Sequence, residues 1–241
     1  PSKNEEKILN YILEFGKRFK LETLQDETGN ILIRKPASKG YENMKSVVLQ
    51  SHVDMVCEKN SDLNFNFNTD PIQAWIDNGW IKSKGTTLGA DDGIGIATQL
   101  AILEDKNLIH GPIECLFTVD EETGLTGAHG LKAGFLNSNI LLNLDSEDEG
   151  ELFIGCAGGK DTIARMKFSK EPVPDNIDCF QIKVFGLTGG HSGDDIHKGR
   201  GNATKLLNRI LWHSSTEYGL RISHIDGGNL RNAIAREAFA M

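Results

Sequence analysis

The sequence has no run of about 18 apolar residues, the length at which a helix begins to suit a membrane. No basic stretch precedes a short apolar one, so no secretory leader is expected. Cysteine is scarce: Cys57, Cys115, Cys156 and Cys179, with no pair at C-x-x-C spacing. That excludes a zinc knuckle and a dithiol redox motif. Four scattered thiols in 241 residues fit a reducing cytoplasm better than a disulfide framework. Basic charge is short as well. With 26 Lys and Arg against 34 Asp and Glu, the net charge is −8, and no basic stripe offsets it. Nucleic-acid binding is therefore not expected. There is no internal repeat and no low-complexity tract. With 39% hydrophobic and 25% charged residues, the composition is that of one or two ordinary globular domains.

Both ends read as cut. The first residue is Pro1 rather than Met, and residues 232–241 stop within a strand-like run. The chain is expected to be a fragment.

Ser2-Lys3-Asn4-Glu5 has the form of a capping box. Ile8, Leu9, Ile12, Leu13, Phe15 and Phe19 follow at helical spacing, predicting an amphipathic helix to about Lys20. Residues 21–25 and 31–35 flank Thr28-Gly29-Asn30 as a hairpin, and Asp77-Asn78-Gly79 punctuates a second over 74–82. Residues 46–51, 113–119 and 139–144 are short apolar strands, the first with the look of one buried on both faces. Ile94, Ala97, Leu100, Ala101 and Leu103 recur at helical spacing. This alternation predicts an α/β layer on a mostly parallel sheet.

The texture changes near Gly155–Gly159. Residues 162–168 and 180–185 alternate like strands with one wet face. Residues 201–212 form a helix with an apolar stripe of Ala203, Leu206, Leu207, Ile210 and Leu211, and 221–225 a further strand. A first domain over 1–158 and an incomplete second one over 159–241, in β-β-α-β order, are expected.

The chemistry lies in an ordered set of one histidine and five acids: His52, Asp54, Asp91, Glu121, Glu122 and Asp145. His52, Glu121, Glu122 and Asp145 each follow a strand-like run directly, so an open α/β sheet would deliver them to one edge. So many acids beside buried strands are costly unless cations or hydrogen bonds neutralise them. His52 and Asp54 stand two apart, and Asp54 is placed to take the second imidazole N–H of a metal-bound His52. Asp91 lies among Gly89, Gly93 and Gly95; Asp92 is the better cap for the following helix, leaving Asp91 for metal. Of the adjacent Glu121 and Glu122, one can ligate while the other serves as general base. The competing reading of 120–122 is a solvated acidic turn.

Together, Ser51-His52-Val53-Asp54, Leu88-Gly89-Ala90-Asp91-Asp92-Gly93, Asp120-Glu121-Glu122-Thr123-Gly124 and Asn143-Leu144-Asp145 resemble the di-zinc metallopeptidases. That group includes carboxypeptidases, aminoacylases, tripeptide aminopeptidase and Xaa-His dipeptidase. Leu187-Thr188-Gly189-Gly190-His191-Ser192-Gly193-Asp194-Asp195-Ile196-His197 and Arg200-Gly201-Asn202-Ala203 resemble its aminoacyl-histidine dipeptidase branch, the bacterial carnosinase-like enzymes. The resemblance spans essentially the whole chain.

It implies a di-zinc catalytic domain, followed by the first part of an α+β lid or dimerisation domain. Asp91 would bridge two Zn2+ ions, His52 and Asp145 would complete one, and Glu122 would bind the other. Glu121 would be the general base and Asp54 would orient His52. The implied reaction is hydrolysis of a short peptide, such as beta-alanyl-histidine, with Mn2+ or Co2+ tolerated by the same donors. His191 matches the histidine that in relatives reaches into a partner subunit's site, implying a homodimer through the second domain, and Asn232 would also contact substrate. The family's last zinc-binding histidine lies in a C-terminal segment beyond this sequence; His197, His213 and His224 stand in the wrong context to replace it. Ala235 stands where relatives commonly have proline, which is expected to loosen the strand after Asn232. The alternatives are a sister amidohydrolase, either aminoacylase or tripeptidase, and an inert fragment.

Overall fold

The computed structural model describes residues 1–146, 148–156 and 158–241. Residues 1–152 form one unit and residues 153–241 a second. In the first, α1 (Glu6–Arg18) precedes the hairpin β1 (Glu22–Gln25) and β2 (Ile31–Lys35), then β3 (Val47–His52). A separate hairpin, β4 (Ala74–Asp77) and β5 (Trp80–Ser83), leads to α2 (Ala90–Glu104) and β6 (Ile113–Thr118). Two short helices, α3 (Glu121–Gly124) and α4 (Thr126–Gly130), come before β7 (Ile140–Asn143).

Five strands form one sheet in the order β1-β2-β6-β3-β7. β3 runs parallel to both β6 and β7, while β1 with β2 and β2 with β6 are antiparallel. The α/β layer is present, with a mixed sheet whose parallel pairing is confined to β6-β3-β7. His52 pairs with Thr118, and Gln50 with Asn143, so three strand ends and the loops that follow meet at one edge.

The sheet's two faces follow the strand alternation of side chains. Ile31, Ile33, Leu49, Cys115 and Phe117 point to one face, against Ile12 and Phe15 of α1 and Leu103 of α2. Leu32, Val48 and Leu116 point to the other, packed by Leu131, Phe135 and Leu136. This two-sided burial is why β2, β3 and β6 read as nearly continuous apolar runs. At the β4–β5 turn, Asn78 and Gly79 take φ of 50° and 83°, the left-handed pair that a two-residue hairpin loop demands.

The capping box at the start of α1 is not made. Glu5 occupies the cap position with no side-chain cap. The Ser2 hydroxyl donates instead to Asp54 Oδ2 at 2.7 Å, and Glu5 Oε1 accepts the amides of Lys3 (2.7 Å) and Asp120 (3.2 Å). Long-range buried partners take the groups that a free helix end would have used.

The second unit holds β8 (Ile182–Val184), a 3-10 turn, α5 (Ala203–Tyr218), β9 (Ile225–Gly227) and β10 (Ala238–Ala240). The order is β-α-β-β rather than β-β-α-β, with an antiparallel sheet β8-β10-β9. Residues 162–168 form no strand: Ile163, Met166 and Phe168 alternate in sequence, but they are exposed and the segment pairs with nothing regular. Strand β9 starts at Ile225, where the expected 221–225 strand was to end.

Asn202 caps α5 by accepting the Lys205 amide at 3.1 Å, and the helix outruns its apolar stripe until Gly219 (φ 66°) stops it. Ala203, Leu207 and Leu211 pack on Ala235, Ala238 and Ala240, while Ile210 of the expected stripe is exposed. Ala235 is itself buried and accepts the Ala203 amide at 2.8 Å.

Phe117 is fully buried at the centre of the larger core. Phe117→Ala is expected to cost about 3–5 kcal/mol of stability, read by urea unfolding. A cost below about 1 kcal/mol would show that this core does not support the sheet.

Candidate metal centre

β3 ends in His52, whose ring is buried. Its Nε2 lies 2.9 Å from Asp91 Oδ1 and 3.6 Å from Asp145 Oδ1. Its Nδ1 faces the Asp54 carbonyl at 3.0 Å and the Asp54 carboxylate at 3.5 Å. Asp91 lies at the start of α2, where its backbone is non-helical (φ −83°, ψ 112°); just before it Gly89 adopts φ 74° against Met55, and an added Cβ would lie 2.8 Å from Met55 Sδ. Asp92, joined to Asp91 by a cis peptide bond, turns inward. Its carboxylate accepts the His52 amide at 3.2 Å and the Gly95 amide at 3.1 Å, the cap role expected of it. Asp145 follows β7, at the end where Leu144 donates to Gln50 O at 2.8 Å.

Glu121 and Glu122 open α3, immediately after β6. Their amides donate to the buried Asp54 carboxylate at 2.9 and 3.2 Å. The solvated-turn reading of 120–122 does not hold, because Asp120 is buried and accepts the hydroxyls of Thr123 and Thr126. Asn30 looks in the sequence like a turn residue only. Fully buried, it accepts the Val119 amide at 3.2 Å and donates to Gly127 O at 2.8 Å, fastening the turn that carries the two glutamates. Gly127 has to be glycine, since a Cβ there would lie 2.6 Å from the Val119 backbone.

Two sets of donor atoms result, each within 4.8 Å of one another: His52, Asp91 and Asp145, and His52, Glu121 and Glu122. Beside them lies a cleft of about 170 Å³, lined by Gln50, Thr118, Glu121, Leu125, Asn143 and Asp145 among others. A third set, Glu5, Asp54 and Asp120, is taken up by the amide and hydroxyl donors already described.

Electrostatics follow from crowding acids in a half-dry edge. Burial, then the Asp91 charge, pushes Glu122 up to about 7; burial, then Asp145, does the same for Asp92. Burial also raises Glu121 and Asp145. For Asp54 burial works upward, but His52, Ser2 and the amides of Glu121 and Glu122 outweigh it and hold it at about 2. For His52 burial works downward and is overcome by Asp145, Asp54 and Asp91, leaving the imidazole strongly basic. The converging carboxylates thus favour the protonated imidazole. Nitrogen and oxygen donors at this spacing fit a divalent cation, which would replace that proton.

In the second unit, the backbone at 191–192 runs beside that at 232–233: His191 forms an isolated backbone bridge with Ala233, and the Ser192 amide donates to Asn232 O at 2.8 Å. His197, His213 and His224 join neither donor set.

The parallel strand ends of the α/β sheet thus gather an imidazole and carboxylates at the spacing that could hold a divalent cation. The chain belongs to the peptidase family M20/M25/M40, which residues 48–197 match, and residues 182–241 match the peptidase dimerisation domain. It is 51% identical over 240 residues to the cytosol non-specific dipeptidase of Escherichia coli K12, aligning all of this chain with 50% of that protein. The crystal structure of aminoacylhistidine dipeptidase from Vibrio alginolyticus superposes with a TM-score of 0.65 at 50% identity, over 100% of this chain and 49% of that one. Aminopeptidase PepT from Bacillus cereus shares the fold, with a TM-score of 0.51 at 22% identity over 99% of this chain and 60% of that one. The chain thus spans about half the length of the dipeptidases it matches.

Asn30→Ala strands a buried amide and a buried carbonyl, and is expected to cost about 1–3 kcal/mol in denaturant unfolding; an unchanged midpoint would remove Asn30 as the fastener. Because His52 and Glu122 hold protons near neutrality, cation binding should release protons and tighten as pH rises from about 6 to 8. Calorimetry in buffers of different ionisation enthalpy reads this directly. Binding with no proton release would contradict the assignment.

Proposed function

We propose that this chain carries the catalytic half-site of a di-zinc dipeptidase that hydrolyses short peptides, with Xaa-His dipeptides such as beta-alanyl-histidine as the favoured class. The observation carrying this reading is the convergence of His52, Asp91, Asp145, Glu121 and Glu122 at one sheet edge. His52, Asp91 and Asp145 would hold one ion, and Glu122, together with Asp91, would hold the other. Bound divalent ions would polarise the scissile carbonyl and acidify the attacking water; Mn2+ and Co2+ meet the same donors.

The protein's own groups supply the rest. Glu121, raised by burial, is a stronger base than a free carboxylate and takes the water proton for delivery to the leaving amine. Asp54 holds the two glutamates by their amides and keeps His52 Nδ1 engaged, so each presents one face to the site. His191 and Asn232 act on substrate in the site of a second copy, the homodimer forming through the second unit. The match to a dimerisation domain supports that arrangement. A cytoplasmic setting accords with a relative named for the cytosol and with four free cysteines. No helix among the described residues is long and apolar enough to cross a membrane.

The relatives' names differ, one broad and one specific to aminoacyl-histidine. Full-length protein loaded with Zn2+, assayed on dipeptides, tripeptides and N-acyl amino acids, separates the readings. Preference for Xaa-His dipeptides is expected; a preference for tripeptides or N-acyl amino acids would move the enzyme to a sister activity. Glu121→Ala is expected to lower kcat by about 10²–10⁴-fold with both metals retained. Asp91→Ala should lose both metals, and retention of both would end its bridging role.

A further inference from the structure

The loop of the second unit that carries His191 is closed by a charged clamp to which no function is yet assigned. Asp195 Oδ2 accepts the His191 amide at 2.8 Å, and the Asp195 amide returns to His191 O at 3.1 Å. Arg200 Nη1 donates both to that same carboxylate oxygen, at 2.9 Å, and to Gly189 O, at 2.8 Å. Lys198 holds the other oxygen at 2.7 Å. The clamp closes only on glycine: Gly190 has φ 139°, and a Cβ there would fall 2.2 Å from Arg200 Nη1 and 2.4 Å from Asp195 Oδ2.

The ring feels the consequence. With the 191–195 turn drawn tight, the amides of Gly193 and Asp194 both donate to His191 Nδ1, at 3.1 and 3.2 Å. A neutral imidazole has one acceptor nitrogen and one N–H. Two donors on Nδ1 leave the proton on Nε2. The Asp194 carboxylate, which would favour the opposite tautomer, is 3.6 Å from Nδ1 and largely exposed, so solvent screens it.

We infer that Asp195 and Arg200 are positioning residues that hold His191 in the Nε2–H tautomer, with that N–H directed outward as a donor. A donor so fixed recognises an acceptor oxygen, either the terminal carboxylate of a peptide or the oxygen on which charge develops during amide cleavage. The kinetic part rests on the proposed substrate role of His191; the tautomer itself does not.

The test uses full-length, metal-loaded enzyme labelled with ¹⁵N-histidine. In alkaline solution, where an imidazole is neutral, His191 should give the nitrogen shifts of an Nε2–H ring. Asp195→Ala and Arg200→Met should move it toward a tautomer mixture. They should also lower kcat on the order of tenfold to a hundredfold with bound metal unchanged. Asp195→Ala should add nothing to His191→Ala, since it acts through that ring. Unchanged nitrogen shifts in the variants, or additive losses in the double variant, would overturn the inference. If His191→Ala leaves kinetics intact, the substrate role fails, and the nitrogen spectra still decide the clamp. Where Asp195→Ala does not fold, Asp195→Asn keeps the size and one acceptor oxygen while losing the charge on which Arg200 closes; its ring should show the same drift.

Discussion

The first unit's chemistry depends on one buried carboxylate. Asp54 sits just beyond β3 and receives the hydroxyl of Ser2 and the amides of Glu121 and Glu122. A desolvated carboxylate without donors would be protonated or expelled. With these it stays ionised far below the usual carboxylate range. The same bonds tie three distant stretches of chain together: the residues before α1, the end of β3 and the turn after β6. Moving any of the three would leave that charge short of donors, so the geometry of the acids is set by the needs of a group that itself faces away from solvent.

Around that anchor the acids divide by environment. Asp92 and Asp120 spend their oxygens on protein donors and become structural. Asp91, Glu121, Glu122 and Asp145 keep oxygens turned toward His52 or the cleft, and three of them are pushed toward neutrality by burial. Identical side chains, one or two residues apart, thereby acquire different tasks. Sequence adjacency conceals this, because neighbouring residues on a turn face opposite ways.

Much of the arrangement was legible beforehand for a physical reason. β2, β3 and β6 are buried on both faces, so their apolar runs mark their extents closely, and the polar residue ending each run marks the sheet edge. That Asp92 would cap the helix followed from helix-cap chemistry alone. What escaped was long-range: the Ser2 and Glu5 side chains look like a local cap and serve Asp54 and Asp120 instead, and Asn30 looks like a hairpin residue while fastening a loop 89 positions away. Periodicity misled at 162–168, where alternating residues supply a face but no neighbouring strand to bury it. Amphipathic pattern describes one surface and leaves the other unstated.

β7 brings Asp145 to the site as the outermost strand of its sheet. Its Ile140, Leu141 and Leu142 are well exposed, and its outer backbone edge has no strand partner among the described residues. Neither lysine, proline nor a bulge interrupts it, the features by which sheets usually discourage edge-to-edge growth. Among the described residues, then, the strand that carries Asp145 leaves its outer backbone groups open to another strand, right beside the acid cluster.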